Sequence, residues 1–176
     1  MASLLNDNRR AKLDGIWRQF TSREHGHLVQ FIKYGIAGGI ATVVHTALFF
    51  LFAWKVLPSL TADDPVARLF KISASPISDS VRAWHAGVDN AIAFLFSNFV
   101  VYVINIAWVF EAGRHSRWKE IGMFYGVAGI SVLIGIGLQS FLIRSFGINT
   151  TYAFGAMVLV CLLINYAMRK YFIFKG

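Results

Sequence analysis

The sequence predicts an all-α integral membrane protein: four transmembrane helices arranged as two helical hairpins that repeat in parallel, with both termini in the cytoplasm. Three observations carry this prediction. Four stretches, 34–54, 91–110, 121–143 and 145–168, contain no Asp, Glu, Lys or Arg, and together they make up half of the 176 residues. Lys and Arg are concentrated on one side of these stretches. Two short motifs recur, in the same order, in the two halves of the chain.

An α-helix rises about 1.5 Å per residue, so roughly 20 residues cross a hydrocarbon core about 30 Å thick. Each uncharged stretch has that length. Only 15% of the residues are charged, against about 25% in soluble domains. A formal net charge of +8 would suit nucleic acid. Here the basic residues flank the spans, so anionic lipid headgroups are the expected partner and nucleic acid is not.

Residues 1–30 form a basic segment. Leu13, Ile16, Trp17 and Phe20 recur in it at helical spacing among Arg10, Lys12, Arg18 and Arg23, which predicts an amphipathic helix on the inner membrane surface. No cleavable signal pattern precedes the first span, which is therefore expected to be retained. Residues 31–176 form one transmembrane domain. Its outer loop, 58–90, is long for a helix connection. Within that loop Ser75 and Pro76 read as a cap and a first-turn proline, and Ile77, Val81, Trp84 and Val88 follow as a short helix on the outer interface. Spans one and two are separated by this loop, and spans three and four by little more than Arg144. Arg114, Arg117 and Lys119 join spans two and three, and Arg169, Lys170 and Lys175 end the chain. Twelve of the seventeen basic residues thus fall on the side of the termini, which assigns that side to the cytoplasm.

The repeat consists of Tyr34-Gly35-Ile36-Ala37-Gly38 against Tyr125-Gly126-Val127-Ala128-Gly129, then Ile104-Asn105-Ile106-Ala107 against Ile164-Asn165-Tyr166-Ala167. The offsets, 91 and 60, differ by nearly the length of the outer loop. Trp108-Val109-Phe110 also matches Phe172-Ile173-Phe174 at an offset of 64, and the register at the hairpin ends stays open. Each hairpin crosses twice, so the repeat is parallel, with its pseudo-twofold along the membrane normal. Gly35 with Gly39 and Gly122 with Gly126 have the small-residue spacing of close helix contacts. Packing inside one subunit is the favoured role and a dimer seam the second. A four-span monomer encloses little volume, which leaves room for a homodimer.

Polar groups in hydrocarbon are costly unless partnered. The spans hold His45, Asn98, Asn105, Gln139 and Asn165. Asn98 and Asn105 lie two turns apart on one face, and Asn105 and Asn165 approach the cytoplasmic end, where Lys33, Arg169 and Lys170 flank the membrane. Donors of this kind suit a phosphate or pyrophosphate headgroup. The same cations also serve as topology anchors, and interhelical asparagines as packing glue. His45 reads as a packing residue, and Gln139 as a group near the outer, release side. None of the four uncharged stretches offers a carboxylate, which argues against a proton-coupled exporter of cationic drugs. A coupled small-molecule exporter is the weakest of three function classes. No nucleophile–base pair or phosphate loop is present. Cys161 is the one cysteine, so neither a disulfide nor a metal cluster is expected. The chain does not read as an enzyme, and no cofactor is implied.

Gln30-Phe31-Ile32-Lys33-Tyr34-Gly35-Ile36-Ala37-Gly38, Asn105 with Trp108-Val109-Phe110, and Asn165 with Arg169-Lys170-Tyr171-Phe172-Ile173-Phe174 resemble the first-helix entry, second-helix ending and chain end of the GtrA-like membrane proteins. The resemblance covers 28–176 apart from the outer loop. It implies a multi-pass protein of the bacterial inner membrane that moves a polyprenyl-phosphate-linked sugar from the cytoplasmic to the outer leaflet, for cell-surface polysaccharide or cell-wall glycosylation. It makes Lys33, Asn105, Asn165, Arg169 and Lys170 the headgroup candidates, and Asn98 joins them from its place in the second span. Family members often carry basic residues just after the second-helix asparagine, where this chain has Ile106 and Ala107. The alternative is a non-transporting scaffold that anchors a glycosyltransferase partner.

Overall fold

The computed structural model describes residues 27–74, 76–109 and 117–168. The expected amphipathic segment around Leu13–Phe20 and the cations Arg169 and Lys170 lie outside these residues. All regular structure in the described residues is helical: α1 (His27–Lys55), α2 (Pro65–Leu69), α3 (Asp79–Ile104), α4 (Arg117–Phe146) and α5 (Thr150–Met168), with one π-helical turn, Asn105–Val109, continuing α3. Three helical stretches are long and apolar enough to cross a membrane, Ile32–Lys55, Asp79–Val109 and Ala128–Phe146, and α5 adds a shorter apolar stretch, Thr150–Ile164.

The long helices alternate in direction. α3 packs against both α1 and α4, and α4 packs against α5. One end of the bundle therefore carries the 56–78 connection and the α4–α5 turn, and is called the loop end. The other carries the start of α1 and the end of α3, and is called the terminal end. Large apolar side chains such as Val43, Leu95, Phe96, Phe99, Leu133 and Leu163 face outward, as expected where lipid rather than water is the solvent.

The second span helix is longer than its uncharged stretch. It starts at Asp79, twelve residues before Ala91, and absorbs the separate outer helix expected over 77–88. Its cap is Ser78, whose Oγ accepts from the Val81 amide, and not Ser75. Of the expected apolar stripe, Val81, Trp84 and Val88 are helical while Ile77 precedes the helix, and Val81 and Trp84 face away from the bundle: Trp84 is 65% exposed, while Arg82, Ala83, Ala86 and Asp89 point inward. The expectation of carboxylate-free spans fails for the same reason, because Asp89 sits inside α3.

Two cores flank the centre. Near the loop end Phe49, Ala53, Ala83, Ala86, Ala93, Ile143, Phe154 and Met157 are buried together, and Phe49 stacks on Phe154 at 4.3 Å between ring centroids. Near the terminal end Ala37, Val101 and Val109 pack with Tyr34, Ala41, Ile104 and Trp108. The close helix crossings do not use the glycines singled out by spacing. A Cβ on Gly35, Gly39, Gly122 or Gly126 would meet nothing within 4 Å, whereas one on Gly135 would lie 2.8 Å from Met157 Cγ and Cys161 Sγ, and one on Gly87 3.4 Å from Ile136. Among the described residues nothing lies where a Cβ on any of these four would stand, so the favoured role of packing within the subunit gains no support there.

Hydrogen bonds stitch the loop end shut. Asp64 Oδ1 accepts from the Val66 amide and the Thr151 hydroxyl, and Oδ2 from the Thr151 amide at 3.0 Å. The Thr150 hydroxyl donates to the Ser59 carbonyl. Arg82 donates to the Ile148 carbonyl at 2.7 Å and to Asp79 at 2.6 Å. Gly147, with φ +62°, ends α4 in the left-handed conformation that lets its amide reach back to the Ile143 carbonyl at 3.0 Å.

Candidate functional site

α3 supplies the polar face of the bundle. Ala86, Asn90, Ala93, Ser97, Val101 and Asn105 follow one another at intervals of three or four, and all are buried. Small residues on this face let α1 and α4 approach, and Asn90 and Ser97 meet partners there.

The first group is a layer across three helices. His45 on α1 stands ten residues from the end of its helix at Lys55. Its Nε2 contacts Asn90 Oδ1 at 3.0 Å and its Nδ1 contacts Ser97 Oγ at 3.2 Å. The Asn90 amide nitrogen donates to the Ala86 carbonyl and to Gln139 Oε1 on α4. Asn90 Oδ1 can only accept, so His45 carries a proton on Nε2, and the single Ser97 hydroxyl proton is shared between His45 Nδ1 and the Phe94 carbonyl at 3.2 Å. His45 also stacks against Phe154 of α5 at 5.9 Å.

Below this layer, toward the terminal end, a cleft of about 170 Å³ lies among α1, α3, α4 and α5. Thr42, His45, Ser97, Asn98 and Ser131 give it polar walls between apolar side chains such as Val132 and Met157. Asn98 is nine-tenths buried, and its amide nitrogen has no hydrogen-bond partner among the described residues.

The third group is at the terminal end. Lys33 is fully buried, with its ammonium 5.4 Å from the centroid of the Trp108 ring, a cation–π arrangement. Trp108 belongs to the π turn, which begins at Asn105. A π turn inserts one extra residue into the helix and is frequent at functional sites. Asn105 is 3% exposed, and neither amide atom has a partner among the described residues. Buried amides left unpaired cost free energy that a bound polar group would recover.

Of the six headgroup candidates, the structure thus brings Lys33 and Asn105 to the same end and sets Asn98 on the cleft wall. Asn165 lies on α5, with its side chain outside the described set, and Arg169 and Lys170 lie outside the described residues. Gln139 is part of the buried layer rather than of a release-side surface. Sequence reasoning missed Asn90 and Asp89 because both sit just beyond the uncharged stretch. The three- and four-residue spacing from Ala86 to Asn105 was the signal that could have found Asn90. Among the described residues there is no group of His, Cys, Asp and Glu that could hold a metal.

The sequence model of the GtrA/DPMS transmembrane domain family matches residues 33–174. The cell wall teichoic acid glycosylation protein GtcA of Listeria monocytogenes serovar 1/2a is 24% identical over 147 residues, which cover 82% of this chain and 83% of that protein. GtcA of Listeria innocua serovar 6a is 29% identical over 99 residues, covering 54% and 68%. The membrane protein YwcD of Bacillus subtilis is 30% identical over 86 residues, covering 47% and 68%. No solved structure matches the chain.

Proposed function

The chain belongs to the GtrA/DPMS transmembrane domain family, and from that premise we propose that it moves a polyprenyl-phosphate-linked sugar across a bacterial inner membrane. The observation that carries this reading is the cleft: a largely apolar space with a few polar groups in its wall, Thr42, His45, Ser97, Asn98 and Ser131, lined by all four long helices. The polyprenyl tail stays in lipid while the sugar passes along the cleft. α5 is taken as the fourth span, the terminal end as cytoplasmic by its excess of Lys and Arg, and the hairpins α1–α3 and α4–α5 as the two halves of a parallel repeat. Lys33, Asn105, Asn165, Arg169 and Lys170 receive the phosphate at the terminal end, and Asn98 bonds the sugar in passage. No covalent step is involved, and the chain is not an enzyme. The names of the Listeria relatives support cell-wall polymer glycosylation as the pathway served.

The test is reconstitution of the purified chain in liposomes with a short-chain polyprenyl-phosphate hexose carrying a quenchable reporter. Transfer faster than in protein-free liposomes is expected. Charge-assisted bonds contribute roughly 1.5–3 kcal/mol, so Lys33→Gln should slow transfer about tenfold or more. Asn105→Ala should slow it less. Transfer at the protein-free rate would leave the chain as a scaffold for a glycosyltransferase.

A further inference from the structure

Asp89 is fully buried, and neither carboxylate oxygen has a hydrogen-bond partner among the described residues. It lies ten residues into α3, about 15 Å from the helix start. That depth matches His45 on α1, which contacts the neighbouring Asn90. An ionised carboxylate in such a place, without a cation or a donor, is far more costly than the neutral acid. Among the described residues, the ionisable groups nearest to it on the surrounding elements do not compensate it. On α3 itself, Arg82 lies two turns away with its guanidinium engaged by Asp79 and Ile148, and His85 contacts the Pro58 carbonyl. On α1, His45 is held by Asn90 and Ser97, and Lys55 sits over Trp54 at the loop end. On α4, Tyr125 donates to the Leu95 carbonyl far toward the terminal end, and Arg144 is exposed. On α5, Cys161 donates to the Ser131 carbonyl beside the cleft, and Tyr152 is exposed. In the connection, Asp64 is taken up by Val66 and Thr151, Lys71 and Arg68 are exposed, and Asp63 accepts from Thr61 and Asn149.

The second observation is the asymmetry of the bundle. The loop end is sealed by Ser59, Leu60, Asp64, Arg82, Ile143 and Thr150, all buried, whereas the cleft lies on the other side of the His45–Asn90–Gln139 layer. Beyond the cleft the core around Ala37, Val101 and Val109 follows, and Asp89 stands between the seal and the cleft. We propose that Asp89 is the proton-coupling residue of the transporter: it holds a proton while the loop end is sealed and releases it to water when that end opens. The step breaks one O–H bond, leaves the electron pair on the carboxylate oxygen and passes the proton to water. The inference rests on the transport reading above and supplies its coupling ion.

Two measurements on the full chain test it. A cysteine introduced by Ser59→Cys reports the seal through labelling with a membrane-impermeant maleimide, read above the parent chain with its single Cys161. One linked proton changes the open-to-sealed ratio by up to about tenfold per pH unit, so labelling, divided at each pH by that of a fully exposed control cysteine because maleimide reacts with the thiolate, should rise several-fold from pH 6 to pH 8. With Asp89→Asn, a neutral mimic of the protonated acid, labelling should stay low at both. Equal labelling of the two chains at both pH values overturns the proposal. If either substitution prevents folding, infrared spectra of the unsubstituted protein decide: the carbonyl stretch of a dehydrated carboxylic acid, lost at high pH, is expected, and its absence overturns the proposal. In the liposome assay, an imposed pH gradient should alter the rate of polyprenyl-phosphate hexose transfer. Transfer that ignores the gradient leaves the transport reading standing and sinks the coupling, whereas no transfer at any gradient sinks the transport reading itself.

Discussion

Asp64 shows how much one side chain does at the loop end. One oxygen caps α2 at Val66, and the two together hold Thr151 at the start of α5. It therefore satisfies donors at two helix N-termini, where four amides each lack an internal partner. Losing a cap costs about 1 kcal/mol, so Asp64→Ala should lower the thermal unfolding midpoint in detergent by the equivalent of about 2 kcal/mol. Asp64→Asn should fall between, since asparagine also caps. At this scale the sequence was partly legible. Polar residues in apolar stretches are conspicuous, so His45 and Gln139 stood out singly. Their pairing through Asn90 did not, because periodicity within one helix carries no information about which residue of another helix it meets.

Among elements, the glycines separate what spacing reveals from what packing decides. The four-residue interval was visible, but the faces that actually cross are those of Gly87 and Gly135. A β-branched side chain at Gly135 would collide with Met157 and Cys161, and overpacking costs about 1–3 kcal/mol. Gly135→Val should therefore lower the unfolding midpoint clearly. Gly126→Ala, placed in open space, should leave it unchanged or raise it, since alanine is favoured over glycine in a helix by up to about 1 kcal/mol. The limits of α3 were illegible for a related reason. A charge scan ends a span at Asp89, but a buried acid belongs inside the helix, and only the fold tells buried from exposed.

For the whole molecule, the charge asymmetry makes the firmest expectation. A cysteine at Ser73 should be labelled from one side of the membrane only, and cysteines at Ser116 and Gly176 from the other. Labelling of all three from the same side would break the proposed pairing of hairpins. That the chain is helical, apolar and of this family was legible from composition and a few motifs, because lipid demands length and hydrophobicity of every span. The cleft was not, since it exists only where four helices leave space between them. The stitched loop end also sets an order of assembly. Thr150 and Thr151 take their partners from Ser59 and Asp64, 91 and 87 residues earlier in the chain. During synthesis the first hairpin and its connection emerge first, so those acceptors wait in place before α5 exists. The closing bonds are long-range in sequence and form after both hairpins have inserted, so the sealed end is the last part of the protein to mature.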